Sequence, residues 1–273
     1  EAYDRSTPPA LWEEFSWSAE ETERAGRWSA VAGELATALH EIIGHGSGRG
    51  SDRLCGSPQA FLREQYSALE EARADLVALY FIADPVMVEL GLVAAGQFED
   101  VVRAEYEGYT RNALVQLRRI REGAHIEEDH MRNRQAIVHW LMENSSAVER
   151  RVRGGRTYYV MADVAAFRDG VGRLLADVQR IKSEGDYEAA RAMFETYGVH
   201  FDPALRDEVV RRVDALDLPS YTGFVMPELE AVRDATGRIT EVRASYPKDF
   251  AAQMLGYSAR YGMAADELVP AEV

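Results

Sequence analysis

Apolar residues recur at helical spacing over most of this chain. Trp28, Val31, Leu35, Ala38, Leu39, Ile42 and Ile43 follow a 3.6-residue period after Ser18, a helix-capping residue with Glu20 and Glu21 in the first turn behind it. The helix they predict ends in Gly44-His45-Gly46-Ser47-Gly48-Arg49-Gly50, because so many glycines cannot continue one. A second helix starts at Ser57-Pro58 and runs to about Ala83, where Asp84-Pro85 breaks it. A third covers roughly 95–121 and a fourth roughly 127–144. Val148 to Met161 reads as two short strands around Gly154-Gly155, a hairpin signal. Helical periodicity returns over 164–184, 187–197 and 203–216. Gly223 to Arg233 and Arg238 to Ser245 then alternate around Thr236-Gly237, which predicts a second hairpin. With no internal repeat or linker-like tract, the expected fold is mainly α: a single helical domain with small β-hairpin additions.

Composition narrows the partners. In 273 residues, 46 acidic side chains stand against 31 basic ones, a formal charge of −15. That balance argues against nucleic acid or an anionic membrane surface as the main partner, and is most simply a soluble surface. The single cysteine, Cys55, excludes an intrachain disulfide and a multi-thiolate zinc site, and it fits a reducing, cytoplasmic setting. The longest apolar run, Leu76 to Ala83, is far short of the ~20 residues that span a bilayer. No basic segment followed by an apolar core opens the chain, so no signal peptide is expected. The chain begins at Glu1 rather than Met, which fits processing or excision from something longer.

The chemistry gathers in two segments. His40-Glu41-Ile42-Ile43-Gly44-His45 sits at the end of the first long helix. In the common zinc-peptidase helix two histidines stand four apart and reach one ion. Here they stand five apart, which a regular α-helix turns about 140° away from each other. Either the pair is two surface histidines at a helix end, or the backbone is locally unwound or bulged so that the rings converge. Gly44 is a residue type that tolerates such distortion, and π-bulges are frequent at functional sites.

On the second helix, Glu70-Glu71-Ala72-Arg73-Ala74-Asp75 places three carboxylates directly before the apolar stretch Leu76 to Phe81. Carboxylates at the edge of a core need partners, which a metal or metal-bound histidines would supply. Glu71 and Asp75 are four apart and share a helix face. Two histidines, one carboxylate and an open fourth position form the ligand set of a hydrolytic zinc site, beside which Glu41 is placed to act as general base.

Together, His-Glu-x-x-Gly-His and, on the next helix, Glu-Glu-x-Arg-Ala-Asp resemble the dipeptidyl peptidase III family of zinc exopeptidases. His130-Met131-Arg132-Asn133-Arg134 resembles a third family segment, with an active-site histidine and an arginine four residues on. The similarity covers roughly residues 25–258. It implies His40, His45 and Glu71 as ligands of one Zn2+ per chain, and Glu41 as general base and proton shuttle. It further implies Glu70 and Asp75 as acceptors orienting the histidine rings, His130 as stabiliser of the oxyanion, and Arg134 as a substrate-binding group. The implied reaction is release of N-terminal dipeptides from oligopeptides. The short stretch between His45 and Glu71, and Ala72 where animal members carry cysteine, look like the bacterial form. Family members are about twice this long, and their cleft lies between the zinc domain and a second, substrate-binding domain. Residues 1–273 are therefore expected to be the catalytic zinc domain alone, with no segment assigned to the second.

Two other readings stay open. One is a zinc-binding domain without turnover of its own. The other is a helical di-iron carboxylate protein, since Glu127-x-x-His130 has the required spacing, although that design wants two such elements. Gly46 to Gly50 follows a helix C-terminus, the wrong end for a phosphate. His125, His139 and His200 carry no motif, and Tyr158 and Tyr159 are expected to pack in the hairpin and core.

Overall fold

Ser18 does cap the first long helix: its side chain accepts from the Glu21 amide at 3.2 Å. A computed structural model of the chain describes residues 9–52, 54, 56–120, 125–218, 226–247 and 249–262. Cys55, Arg121 and Gly223 lie outside the described residues. The helices in chain order are α1 (Pro9–Phe15), α2 (Ala19–Ala38), α3 (Pro58–Leu62), α4 (Tyr66–Phe81), α5 (Val86–Glu89) and α6 (Phe98–Val115). They continue with α7 (Asp129–Asn144), α8 (Val164–Glu184), α9 (Tyr187–Tyr197), α10 (Pro203–Asp214) and α11 (Phe250–Tyr261). Two antiparallel pairs join them, β1 (Val148–Arg153) with β2 (Arg156–Met161) and β3 (Glu228–Arg233) with β4 (Ile239–Ser245). The expected mainly helical fold with two small hairpins is what the structure has.

The chain divides into two units, one ending at Leu218 and the other beginning at Pro219. At the centre of the first lies α4, packed against α2, α7, α8 and the turn that follows α2. Its residues Leu69, Ala72, Leu76 and Leu79 are buried, and its second half is apolar on every side, the pattern of a helix enclosed by others. Helix α6 adds Val102, Tyr106 and Leu114, and α8 adds Phe167, Val171 and Val178. Tyr106 stacks on Phe167 with ring centroids 4.0 Å apart while its hydroxyl donates to the Leu79 carbonyl at 2.8 Å. In the first hairpin Gly154 and Gly155 take positive φ (58° and 75°), the conformation a two-residue turn requires. Tyr158 and Tyr159 on β2 are buried, and His139 packs beside Tyr159.

In the second unit, β3 and β4 form an exposed ribbon with a register shift between Val232 and Arg233. Helix α11 is tied to the start of that ribbon by the Gln253 amide, which accepts from the Met226 N–H and donates to its carbonyl.

The second predicted helix differs in one respect. It is not continuous from Ser57: α3 ends at Leu62, Arg63 takes φ 51°, and a single 3-10 turn (Arg63–Gln65) leads into α4. No glycine or proline marks this break, so hydrophobic spacing passes through it unaltered.

Candidate metal centre

The first long helix ends in one wide turn. Leu39–Gly44 is π-helical, and the His45 amide donates to the His40 carbonyl at 3.0 Å. Closing the hydrogen bond over five residues instead of four brings residues five apart onto one face. The two imidazoles consequently converge, with Nε2 of His40 and Nε2 of His45 only 3.1 Å apart.

Gly44 earns its place by proximity. It is not among the positive-φ glycines, but a Cβ there would sit 2.9 Å from both Cα and Cβ of Ala74. The π-turn lies flat against α4, and only a residue without a side chain fits. Gly44→Ala is expected to lower the stability of the metal-free chain by about 1–3 kcal/mol, as overpacking does, measured by denaturant unfolding.

Helix α4 supplies the third group. Glu71 Oε2 lies 3.3 Å from His40 Nε2 and 3.8 Å from His45 Nε2, and these ligand atoms all fall within 4.8 Å of one another. The residues that resemblance assigned behind the rings are there as well. His40 Nδ1 is 2.8 Å from Asp75 Oδ1, and His45 Nδ1 is 3.1 Å from Glu70 Oε1.

These contacts settle the ring polarity. A carboxylate only accepts, so each Nδ1 donates to it, and in the neutral ring Nε2 then presents a lone pair inward. Glu71 Oε2 is buried and has no hydrogen-bond partner. With both rings neutral, three acceptors face one point, an arrangement that a cation there, either a proton or a metal ion, would satisfy. Ligand atoms around a tetrahedral ion with bonds of about 2.0–2.1 Å stand about 3.3 Å apart. The separations of 3.1, 3.3 and 3.8 Å bracket that value, so the residues fit a small divalent ion.

Charge around the site is arranged to hold the two supporting carboxylates ionised. Burial pushes the Glu70 carboxyl up, but hydrogen bonds from Arg73 and Lys182, with a smaller one from His45, outweigh it and bring it down to about 2. Asp75 follows the same logic: burial raises it, while His40, the Arg134 charge and the Tyr109 hydroxyl together hold it below the usual range. The hydrogen bond to Asp75 raises the His40 pKa against the opposing effect of burial. A metal must displace any proton held there, so metal affinity is expected to fall as pH drops.

Glu70 also gives a stability prediction. Its folded pKa is depressed, so its stabilising contribution is complete above pH 4.5 and is lost as pH falls toward 2. Acid unfolding of the metal-free chain should show a component in that window that Glu70→Gln removes.

His130, in the first turn of α7, stands at the rim, with Nδ1 3.6 Å from Glu71 Oε2 and a side chain 58% exposed. Glu41 is exposed on the π-turn, close enough for its charge to act on His40. Arg134 lies within charge range of Asp75, the carboxylate behind the His40 ring. It stacks over Tyr109 at 5.3 Å and donates to Gln116 Oε1, so its charge reaches Asp75. Glu127 is outside the cluster, and among the described residues the three-ligand group is the only one that could hold a metal.

Sequence reasoning gave no role to Arg73, Tyr109 or Lys182. Arg73 is 1% exposed, donates twice to Glu70 and once to the Gly44 carbonyl, and so ties α4 to the end of the π-turn. Its signal was available: an arginine between Ala72 and Ala74 in a helix about to become apolar must be buried and paired. Tyr109 donates to Asp75 Oδ2 at 2.8 Å from another helix, and nothing local marks it. A cavity of about 940 Å3 lined by Tyr80, Phe98, Val102, Val164, Arg168 and Leu175 is separate from this centre.

Residues 57–214 match the model of peptidase family M49. That segment holds Glu70, Glu71, Asp75, His130 and Arg134, while the histidine pair precedes it. Dipeptidyl peptidase 3 of Mus musculus is 24% identical over 275 residues, covering 82% of this chain and 37% of the mouse protein. Dipeptidyl peptidase 3 of Homo sapiens is likewise 24% identical, over 81% of this chain and 37% of the human one. Among solved structures, DPP III from Caldithrix abyssi superposes with a TM-score of 0.58 at 25% identity, covering 75% of this chain and 36% of that one. Dipeptidyl-peptidase III from Corallococcus sp. strain EGB shares the fold at a TM-score of 0.59, with 18% identity over 77% of this chain and 36% of that one. The chain thus spans little more than a third of the length of these relatives. Since the family match covers more than half of the sequence, the chain belongs to peptidase family M49.

Proposed function

We propose that this chain carries the zinc-binding and proton-transferring part of a peptidase that releases dipeptides from peptide N-termini. The observation that carries the reading is the convergence of two imidazole Nε2 atoms and an unpartnered carboxylate oxygen. His40, His45 and Glu71 would hold one zinc ion. Zinc, when bound, supplies a Lewis acid and lowers the pKa of an associated water from ~16 to near ~7. Glu41 takes the proton from the attacking water and passes it to the departing amine. Asp75 and Glu70 keep the two imidazoles in the tautomer that turns Nε2 inward. His130 donates to the carbonyl oxygen of the scissile bond as negative charge develops on it. Arg134, from its place beside Tyr109 and Asp75, is proposed to steady the Asp75 carboxylate; a direct contact with substrate is the role the resemblance implies.

The proposed dipeptidyl specificity follows the names of the relatives, and the single cysteine fits the proposed cytoplasmic location. Oligopeptides are the proposed partners. Among the described residues no helix is long and apolar enough to cross a membrane.

One equivalent of zinc per chain, together with hydrolysis of a dipeptide joined to a chromogenic amine, is the expected result. Zinc binding without turnover would support the alternative, a zinc-binding domain without turnover of its own. His130→Ala is expected to lower kcat by about 10²–10³-fold with little change in KM, in line with losses of other oxyanion donors. An effect confined to KM would assign His130 to ground-state binding.

A further inference from the structure

Lys182 is one of only two lysines among the chain's 31 lysines and arginines, and it lies 112 positions from Glu70 in sequence. It projects from the last turn of α8. Its Nζ is 2.5 Å from Glu70 Oε2, and both side chains are nearly enclosed, 14% and 12% exposed. The Glu70 carboxylate is thereby engaged on every side. Oε1 receives His45 Nδ1 at 3.1 Å and Arg73 Nη2 at 2.8 Å, while Oε2 receives Arg73 Nε at 3.1 Å and Lys182.

Arg73 donates to both oxygens of that carboxylate. Its guanidinium comes from the same helix, three residues on, and is also committed to the Gly44 carbonyl. Lys182 approaches from another helix and gives the oxygen that does not touch His45 a second donor. A compact ammonium on a long stem suits this, because a second planar guanidinium would compete with Arg73 for the same plane. The same stretch of α8 also holds the loop after the π-turn: Gln179 donates to the Arg49 carbonyl, and the Ser51 amide donates to Ser183. Asp75, by contrast, has a neutral partner in Tyr109.

We propose that Lys182 is a positioning residue for the metal centre. Its ammonium pins Glu70 so that this carboxylate holds the His45 ring with Nε2 turned toward His40 and Glu71. The inference rests on the metal reading above and adds α8 to the elements that build the site.

The test is a zinc-affinity cycle on the 273-residue chain, by competition with a chelator, over wild type, Lys182→Gln, Glu70→Gln and the double variant. The wild type failing to bind zinc would overturn the metal reading itself. With zinc bound, Lys182→Gln is expected to weaken affinity about 10–100-fold, the usual cost of losing a group behind a metal-ligating histidine. In the Glu70→Gln background the same change should cost nothing further, because Lys182 acts through Glu70. Lys182→Arg should recover part of the loss. The Co2+-loaded Lys182→Gln chain should show an altered visible spectrum, which a change in stability alone does not produce. Unchanged affinity in Lys182→Gln, or equal losses in both backgrounds, overturns the proposal. A chain that fails to fold both as Lys182→Gln and as Lys182→Met assigns the residue to packing and overturns it too.

Discussion

Glu41→Gln is expected to keep its zinc and lose hydrolysis. General-base assistance contributes about 10²–10⁴ in rate, so kcat should fall by that factor while metal content stays near one per chain. The separation of the two effects follows from the π-turn. His40 and His45 are turned onto one face by the five-residue hydrogen bond, and Glu41, one residue past His40, is exposed beside them. Glutamine preserves the shape and the backbone bond but cannot take a proton. The assay requires a form of the protein that turns over substrate, with zinc measured on the same sample. Activity near that of the wild type would remove the general-base role. Loss of zinc would show that Glu41 supports the metal.

Glu71→Ala and His45→Ala should abolish metal binding, and the stability change should reveal why the site exists. In the metal-free chain Glu71 Oε2 is buried with no hydrogen-bond partner, facing two imidazole Nε2 atoms. Removing it discards an unfavourable arrangement, so Glu71→Ala should cost the metal-free fold little or even stabilise it. With zinc at about 1,000 times its Kd, the wild type should gain about 4 kcal/mol, read as a rise in Tm. Neither variant should gain measurably. A zinc-dependent rise that survives in Glu71→Ala would mean that the ion sits elsewhere. A large loss in the metal-free state would mean that Glu71 is structural.

The chemistry was legible where residues and spacing carried it, and illegible where the third dimension did. The gap of five between His40 and His45 left two readings open, and only the backbone decided between them. The sequence also marked Gly44 as a tolerant residue, whereas its function is to let the π-turn touch Ala74. Of the three carboxylates before Leu76, which the sequence marked as needing partners, Glu70 and Asp75 have them. Two of those partners, Tyr109 and Lys182, come from helices whose local sequence gives no sign of the site. The hairpin at Gly154-Gly155 and the extent of α8 were readable because turn chemistry and helical period act locally. The break at Arg63 was not, because no breaker residue stands there. Helix α11 was likewise unanticipated, with its N-cap provided by Asp249 and its amide clasp to Met226 made through space.

X-ray absorption of the zinc-loaded chain tests the central claim most directly. Two imidazole nitrogens and a carboxylate oxygen at about 2.0–2.1 Å are predicted, and His45→Ala should retain no zinc to give such a spectrum. A shell with fewer than two imidazoles, or a spectrum unchanged by His45→Ala, would contradict the assignment of His40, His45 and Glu71 as the metal centre.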